Sequence, residues 1–330
     1  MVLVVGGAGY IGSHMCRLLR EAGEPHLVFD NFEQGHRGAL LGSPAFEGDL
    51  RQADDLNRVF AQNSIDVVMH FAAYISVGES VREPGKYWRN NTAGVLNLLD
   101  AMRGAGVSKF VFSSTAAIFG EPEVVPIDED HPKNPTSPYG QSKLAVERML
   151  ADYDTAHGLK SVCLRYFNAA GASPDGDLGE DHTPEEHLIP VAILAALGCR
   201  EGLKVFGTDY PTPDGTCVRD YIHILDLAEA HLLAVRHLRN GGESRHYNLG
   251  NGVGFSVREV IHMVESVSGR EVPNEDAPRR PGDPATLVAA SDRIRADWGW
   301  KPQYPALETM VRHAWNWFEA HSNGYGPREF

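Results

Sequence analysis

The sequence predicts an α/β fold, a doubly wound parallel sheet followed by a smaller mixed α/β lobe, on three observations. An apolar run, Val2-Leu3-Val4-Val5, passes directly into Gly6-Gly7-Ala8-Gly9-Tyr10-Ile11-Gly12, after which Ile11, Met15, Leu18, Leu19 and Ala22 recur on one helical face. Further short apolar runs alternate with helix-like stretches up to about residue 170, the order that builds a parallel sheet with helices on both faces. Beyond that point a loop rich in Gly, Asp and Pro (172–186) and the proline-dense Tyr210-Pro211-Thr212-Pro213-Asp214-Gly215 break the alternation. The expected organisation is a Rossmann-type domain over 1–170 and a substrate lobe over 171–330, with some segments interleaved back into the first.

The opening strand, turn and helix carry a chemical expectation. Glycines at 6, 9 and 12 turn the backbone tightly, admit a pyrophosphate close to main-chain N–H groups and let the helix pack on the strand. The helix N-terminus then faces the anion. The next apolar run, Leu27-Val28-Phe29, ends on Asp30, and an acidic residue about 20 positions on suits a ribose hydroxyl, which points to NAD over NADP. The spacing G-x-x-G-x-x-G resembles that of the short-chain dehydrogenase/reductase superfamily.

Composition narrows the classes. The chain has 330 residues, 42% hydrophobic and 22% charged, which suits a globular protein with a large core. A net charge of -14 argues against a phosphate-coating surface, so no nucleic-acid partner is expected. Cys16, Cys163, Cys199 and Cys217 lie far apart in apolar or helical contexts and read as reduced core thiols. No metal-ligand spacing is visible, and His14, His157, His231 and His262 read as helix residues. The apolar N-terminus is too short for a signal peptide and no run reaches membrane-spanning length, so no membrane partner and a cytoplasmic location are expected.

Along the chain, Glu47-Gly48-Asp49-Leu50 leads to a helix over Ala53 to Gln62 and a strand, Asp66 to His70. Asp49 reads either as a helix cap or as an adenine contact. His70-Phe71-Ala72-Ala73 places small residues where a cofactor would cross the strand ends. A long helix is expected over Lys86 to Arg103, then a strand, Lys109 to Phe112, delivering Ser113-Ser114-Thr115. Tyr139-Gly140-Gln141-Ser142-Lys143 opens a helix to about His157. Residues four apart share a helical face, so the Tyr139 phenol and the Lys143 ammonium project side by side, and a neighbouring cation favours phenolate. Tyr139 is therefore the expected general base. A strand over Ser161 to Leu164 and a helix from about Leu188 follow.

Several blocks in order resemble the UDP-glucose 4-epimerases: Val77-Gly78-Glu79-Ser80, Ser137-Pro138-Tyr139-Gly140, Phe206-Gly207-Thr208-Asp209-Tyr210, Asp214-Gly215-Thr216-Cys217-Val218-Arg219-Asp220-Tyr221-Ile222-His223 and Arg279-Arg280-Pro281-Gly282-Asp283. The likeness runs from Val2 to about His321. It implies that Tyr139 takes the proton of the sugar 4-hydroxyl, that Lys143 holds the nicotinamide ribose, and that Thr115 hydrogen-bonds the sugar oxygen and relays the proton. Hydride would pass from C4 to NAD+, and the 4-keto sugar would rotate and take it back on its other face. Gly6, Gly9, Tyr10, Ile11, Asp30, Asn31, Asp49, Leu50, Phe71, Ala72 and Asn90 match cofactor positions, together with Ser113, Tyr139, Lys143 and Tyr166. Asn168, His187, Leu188, Phe206, Arg219, Arg280, Asp283 and Leu287 match positions around the UDP-sugar. The resemblance also implies a homodimer formed through the helices over Lys86 to Arg103 and Gly140 to His157.

The chain departs from family patterns at Ile75, where some members carry a lysine, at Glu186-His187, which replaces a paired asparagine, and at Leu287, which replaces tyrosine, cysteine or serine beside the sugar. A dehydratase needs an acid directly after the catalytic threonine, and here Ala116-Ala117 follows Thr115. The other readings are a 4-epimerase of UDP-N-acetylglucosamine, a UDP-uronic acid or a UDP-pentose, and a catalytically silent NAD-binding regulator, against which intact Thr115, Tyr139 and Lys143 count.

Overall fold

The computed structural model describes residues 1–280 and 283–326, so Pro281 and Gly282 of the quoted Arg-Arg-Pro-Gly-Asp block lie outside the described residues. The strands are β1 (Val2–Val5), β2 (His26–Asp30), β3 (Ala45–Glu47), β4 (Val67–His70), β5 (Lys109–Thr115), β6 (Lys160–Tyr166), β7 (Asn168–Ala170), β8 (Leu203–Phe206), β9 (Val218–His223), β10 (Arg245–Leu249), β11 (Gly254–Ser256), β12 (Asn274–Ala277) and β13 (Thr286–Leu287). The helices are α1 (Tyr10–Glu21), α2 (Ala53–Gln62), α3 (Val77–Arg82), α4 (Pro84–Tyr87), α5 (Gly94–Gly104), α6 (Pro138–His157), α7 (Leu188–Ala196), α8 (Ile224–Arg239), α9 (Val257–Ser268), α10 (Asp292–Trp298) and α11 (Leu307–Ala320). The chain divides into two compact units, one of residues 1–120, 132–165 and 228–247, the other of residues 121–131, 166–227 and the chain from Asn248 on.

The first unit is built on a seven-stranded sheet in the order β10-β6-β5-β4-β1-β2-β3. The pairs β1 with β2, β1 with β4, β2 with β3 and β4 with β5 are parallel. Leu3, Val5, Val68, Phe110 and Phe112 from the strands and Leu56, Leu98, Leu99, Met102, Val146 and Leu150 from the helices form one buried core. The strand order reverses between β1 and β4, so their carboxyl ends diverge there, which is where an open parallel sheet receives a ligand.

Two elements differ from the sequence expectation. β5 runs through Thr115, so Ser113 to Thr115 are strand residues and not a following turn. The long helix expected over Lys86 to Arg103 is α4, a π-helical stretch Trp88–Ala93, and α5. A π turn carries one extra residue per turn and often marks a functional position; here it turns Asn91 into the interior. Cys16, Cys163 and Cys217 are buried as expected, but Cys199, just past α7, is exposed and is not a core thiol.

In the second unit β9 is central, antiparallel to β11 and parallel to β13 and β7, while β12 and β8 form a separate parallel pair. Ile189, Ile193, Val260, Val264, Met310, Val311 and Trp317 form its core among α7, α9 and α11. Asp220 of β9 is fully buried, and its two oxygens accept from the backbone N–H groups of Asn251, Gly252 and Ala289 at 2.9–3.1 Å. Burial raises this carboxyl to about 6, against those three donors.

α6 docks on the sheet of the first unit through a buried ion pair. Arg165 Nη2 and Nε donate to Glu147 at 2.7 and 3.0 Å, and Ser114 Oγ donates to the same carboxylate at 2.6 Å. Burial alone would raise the Glu147 carboxyl, and Arg165 more than offsets it. Removing one partner of a buried pair strands the other charge, so Glu147→Ala is expected to cost about 3–5 kcal/mol in urea unfolding. The paired apolar change Glu147→Leu with Arg165→Met should recover much of that loss. A single-variant loss within the range of a surface pair, about 1 kcal/mol or less, would show that the pair does not anchor the helix.

Candidate active site

The turn after β1 is shaped by close approach. Gly6 has φ +80°, and a Cβ there would meet the Ala72 backbone N at 2.5 Å; a Cβ on Gly12 would meet the Gly6 carbonyl oxygen at 2.2 Å. Both glycines are therefore required for β1, the loop after β4 and α1 to pack. Gly9 is different: an added Cβ would come no nearer than 3.6 Å to the Gly6 oxygen, and no side chain caps the start of α1 there. The turn so leaves clear space and uncapped helix N–H groups facing outward, a fit for a pyrophosphate.

Asp30 braces this turn. Its Oδ2 accepts from Ala8 N at 3.0 Å and its Oδ1 from Phe32 N at 2.8 Å. Burial raises its carboxyl, with these donors pulling it back. Asn31 Nδ2 donates to Asp49 Oδ2 at 3.1 Å, and Arg51 holds the Asp49 carboxyl down at about 2. Asp49 is not the cap of α2, whose N-cap is Gln52. Leu50 is buried, and Asn97 donates to its carbonyl at 3.1 Å. The buried Tyr10 ring lies edge-on to His14, and Ile11 follows it on α1. Phe71 packs against His231 with ring centroids 4.9 Å apart. Asn90 Nδ2 donates to Asn91 Oδ1 at 3.1 Å. Every one of these residues but Tyr166, which ends β6, belongs to the first unit.

Tyr139, Lys143 and Glu147 recur every four residues along α6 and meet three consecutive residues of β5. Thr115 stands by the Tyr139 phenol and favours its ionised form. Lys143 Nζ donates to the Ser113 carbonyl at 2.8 Å and lies 5.0 Å from the centroid of the Phe112 ring. Glu147 holds Ser114. Ser137 caps α6 by accepting from Gly140 N at 3.2 Å, and Pro138 sits in the first turn, which fixes where the helix begins and so where Tyr139 stands. Thr115 Oγ1 also accepts from Ala117 N at 3.1 Å.

The electrostatics depart from the simplest expectation. Burial raises the Tyr139 phenol, with Thr115 as the lowering influence, and burial brings the Lys143 ammonium down to about 7. The ammonium expected to lower the phenol is thus itself disfavoured by the same desolvation. A buried phenolate and a buried ammonium stabilise each other far more than either is stabilised alone.

In the second unit Asp283 joins the two arginines expected to grip an anion. Arg280 Nε donates to Asp283 Oδ2 at 2.8 Å, and Arg219 Nη2 lies 3.5 Å from Asp283 Oδ1. The Arg280 guanidinium lies 4.9 Å from the centroid of the Phe206 ring. Leu287 pairs in register with Arg219, and Asn168 with Tyr221 two residues further along β9. Asn168 Nδ2 donates to the Asp220 carbonyl at 2.8 Å. Leu188 is the first residue of α7 and His187 its N-cap. His187 Nδ1 lies 2.9 Å from Glu180 Oε1 and 2.8 Å from Glu185 Oε1.

Sequence reasoning missed two residues that support this site. Glu147 continues the four-residue repeat of Tyr139 and Lys143, and that repeat was the available signal. Asn91 is buried and clamps the backbone of Tyr74, accepting from its N–H at 3.0 Å and donating to its carbonyl at 2.9 Å. It thereby fixes the loop that carries Phe71 and Ala72. Only the π turn brings it inward, so no sequence signal marked it.

The lowered Lys143 ammonium makes stability depend on pH in the dinucleotide-free chain. Between about 7 and the ordinary lysine value the unfolded chain binds the extra proton, so stability rises with pH through that window, by at most about 1.4 kcal/mol per pH unit. Below about 7 both states are protonated and the burial cost is fully felt. Urea unfolding of stripped wild type and Lys143→Met at pH 7, 8 and 9 should show the steeper rise in wild type; equal slopes would remove Lys143 as its source.

The chain as a whole is similar to known proteins. A family model described as NAD dependent epimerase/dehydratase family matches residues 2–250. The chain is 54% identical to a UDP-glucose 4-epimerase of Halalkalibacterium halodurans over 98% of its own length and 97% of that protein. It superposes on a crystal structure of a UDP-glucose 4-epimerase with a TM-score of 0.96 at 50% identity, covering 99% of each chain. A UDP-glucose 4-epimerase from Bifidobacterium longum, solved in complex with NAD+ and UDP, gives 0.94 at 39% identity over 98% of this chain and 99% of that one. The chain belongs to the NAD dependent epimerase/dehydratase family.

Proposed function

We propose that this chain is an NAD-dependent UDP-sugar 4-epimerase interconverting UDP-galactose and UDP-glucose. The observation that carries the reading is the docking of Tyr139 and Lys143 on Thr115 and Ser113 at the carboxyl end of β5, in the same sheet that presents the glycine turn. Supporting it, the second unit bridges Arg219 and Arg280 through Asp283, forked donors suited to a pyrophosphate.

Gly6, Gly9 and the start of α1 would hold the dinucleotide phosphates, Asp30 the adenosine ribose and Lys143 the nicotinamide ribose. When bound, NAD supplies reversible two-electron oxidation at the sugar C4. The chain's own part is proton handling and positioning. Tyr139 accepts the proton of the sugar 4-hydroxyl, with Thr115 beside the phenol as the relay, and returns it to O4 after the 4-keto sugar has turned its other face. Lys143 in its ammonium form stabilises the phenolate. The alanines at 116 and 117 leave no acid beside Thr115 to expel water, which favours epimerisation over dehydration.

A homodimer would form through the helices over Lys86 to Arg103 and Gly140 to His157, the first of which leaves Trp88 and Leu96 exposed. No helix among the described residues is long and apolar enough to cross a membrane. Together with the four free cysteines, this supports a cytoplasmic location.

Tyr139→Phe is expected to lower turnover of UDP-galactose by about a hundred- to ten-thousand-fold while NAD stays bound, since the ring remains and only the proton acceptor is lost. Retained wild-type turnover would sink the assignment. NADP should not restore stripped protein, because Asp30 would oppose a 2′-phosphate and the nearest following arginine, Arg37, is paired with Glu47 at 2.5 Å. Full activity with NADP alone would refute this. Leu287, beside Arg219 in register, is intermediate in bulk between tyrosine and serine. Overpacking costs roughly 1–3 kcal/mol, so UDP-N-acetylgalactosamine should react more slowly than UDP-galactose, and Leu287→Ser should narrow the gap in kcat/KM. An unchanged ratio would place Leu287 away from the sugar.

A further inference from the structure

We propose that Glu180, His182, Glu185 and His187 form a structural site for a divalent transition-metal ion, Zn2+ foremost. One ligand atom from each lies within 4.8 Å of all the others. His182 Nδ1 is 3.1 Å from Glu180 Oε1 and 3.5 Å from Glu185 Oε2, and His187 Nδ1 is 2.9 Å from Glu180 Oε1 and 2.8 Å from Glu185 Oε1. Bonds of about 2.0–2.1 Å from zinc to nitrogen or oxygen put tetrahedral ligand atoms about 3.3 Å apart, and the contacts of the two imidazole nitrogens with Glu180 Oε1 and Glu185 Oε2 run from 2.9 to 3.5 Å.

A second observation points into the same space. The Glu185 side chain is only 7% exposed, and its Oε2 makes no hydrogen bond among the described residues, facing only the His182 imidazole of the same cluster at 3.5 Å. Its Oε1 is committed, accepting from the backbone N–H groups of Glu186 and His187, both at 2.8 Å. That division, one oxygen fixed by backbone donors and the other turned inward, is how a ligating carboxylate is oriented. Glu180, 5% exposed at its side chain, is steadied from behind by Trp317 Nε1, which donates to its carbonyl at 3.0 Å.

The donor set chooses the ion. Two imidazole nitrogens exclude the all-oxygen preference of Ca2+ and Mg2+ and suit zinc. With neutral imidazoles the two carboxylates carry the two negative charges that a divalent ion neutralises. Four protein ligands complete a tetrahedron and leave no open position, so the ion is structural and not catalytic. It would pin the segment before α7, giving His187 a task other than the nucleotide contact its position suggests. The competing arrangement has protons in place of the metal: burial disfavours the charged imidazoles, but the two carboxylates hold His182 up at about 9 and His187 well above its ordinary value.

The test reads metal, not turnover, and so stands apart from the epimerase reading. The full chain is stripped with a chelator, dialysed against Zn2+ and then against metal-free buffer, and its zinc measured by plasma mass spectrometry. About one zinc per chain is expected, with a tetrahedral absorption spectrum on Co2+ exchange. His182→Ala with His187→Ala should lower retained zinc at least about tenfold, whereas Glu186→Gln, altering the exposed neighbouring carboxylate, should retain it. Should the double variant fail to fold by circular dichroism, Glu180→Gln replaces it, with the same loss expected. Wild type that retains less than about a tenth of an equivalent, or a folded ligand variant that retains as much as wild type, overturns the site and leaves the proton-held cluster.

Discussion

Everything in the first unit's chemistry depends on how one face of α6 is fastened to β5. Tyr139, Lys143 and Glu147 stand one above another, and each meets a different residue of the strand: Thr115, the Ser113 carbonyl and Ser114. Arg165, on the neighbouring strand β6, completes the lowest rung. The upper two rungs carry chemistry, and neither could hold a fixed geometry on a helix free to slide. The lowest rung, a buried charge pair with a hydroxyl, has no freedom to slide, because displacement would leave both charges unsolvated.

The desolvation that makes this fastening rigid also sets the protonation states. A tyrosine and a lysine taken out of water both shift toward neutrality, the phenol upward and the ammonium downward. Burial thus drives the two affinities apart, the phenol holding its proton more tightly and the ammonium less, so the phenol yields its proton only when a positive charge stands beside it. Exposed on a surface helix, the same pair would have stayed near the ordinary values of both groups and done nothing.

The second unit is organised by a different device. Asp220 gathers three backbone N–H groups from the loop after β10 and from the residues after β13, which ties together the neighbours of β9. On either side of it in sequence, Arg219 and Tyr221 are in register with Leu287 and Asn168. The residues assigned to the substrate are therefore placed by strand register, which a slip by one residue would turn to the opposite face.

The sequence by itself determined the glycine turn, the alternation of strands and helices, and the Tyr139 and Lys143 pair, because each is local: sterics at Gly6 and Gly12, hydrophobic period, and spacing on one helix. Block by block likeness also brought out Arg219, Arg280, Asp283 and Leu287. Only the tertiary structure decided what depends on distant partners. Glu147 is an ordinary helix residue until Arg165 arrives from another strand, and Asn91 faces solvent or interior according to a π turn that no periodicity encodes. Glu180, His182, Glu185 and His187 sit in one short loop, but only the folded conformation of that loop brings one ligand atom from each within 4.8 Å of the others. Ionisation was settled there too, because desolvation depends on everything packed around a group and not on its neighbours in the chain.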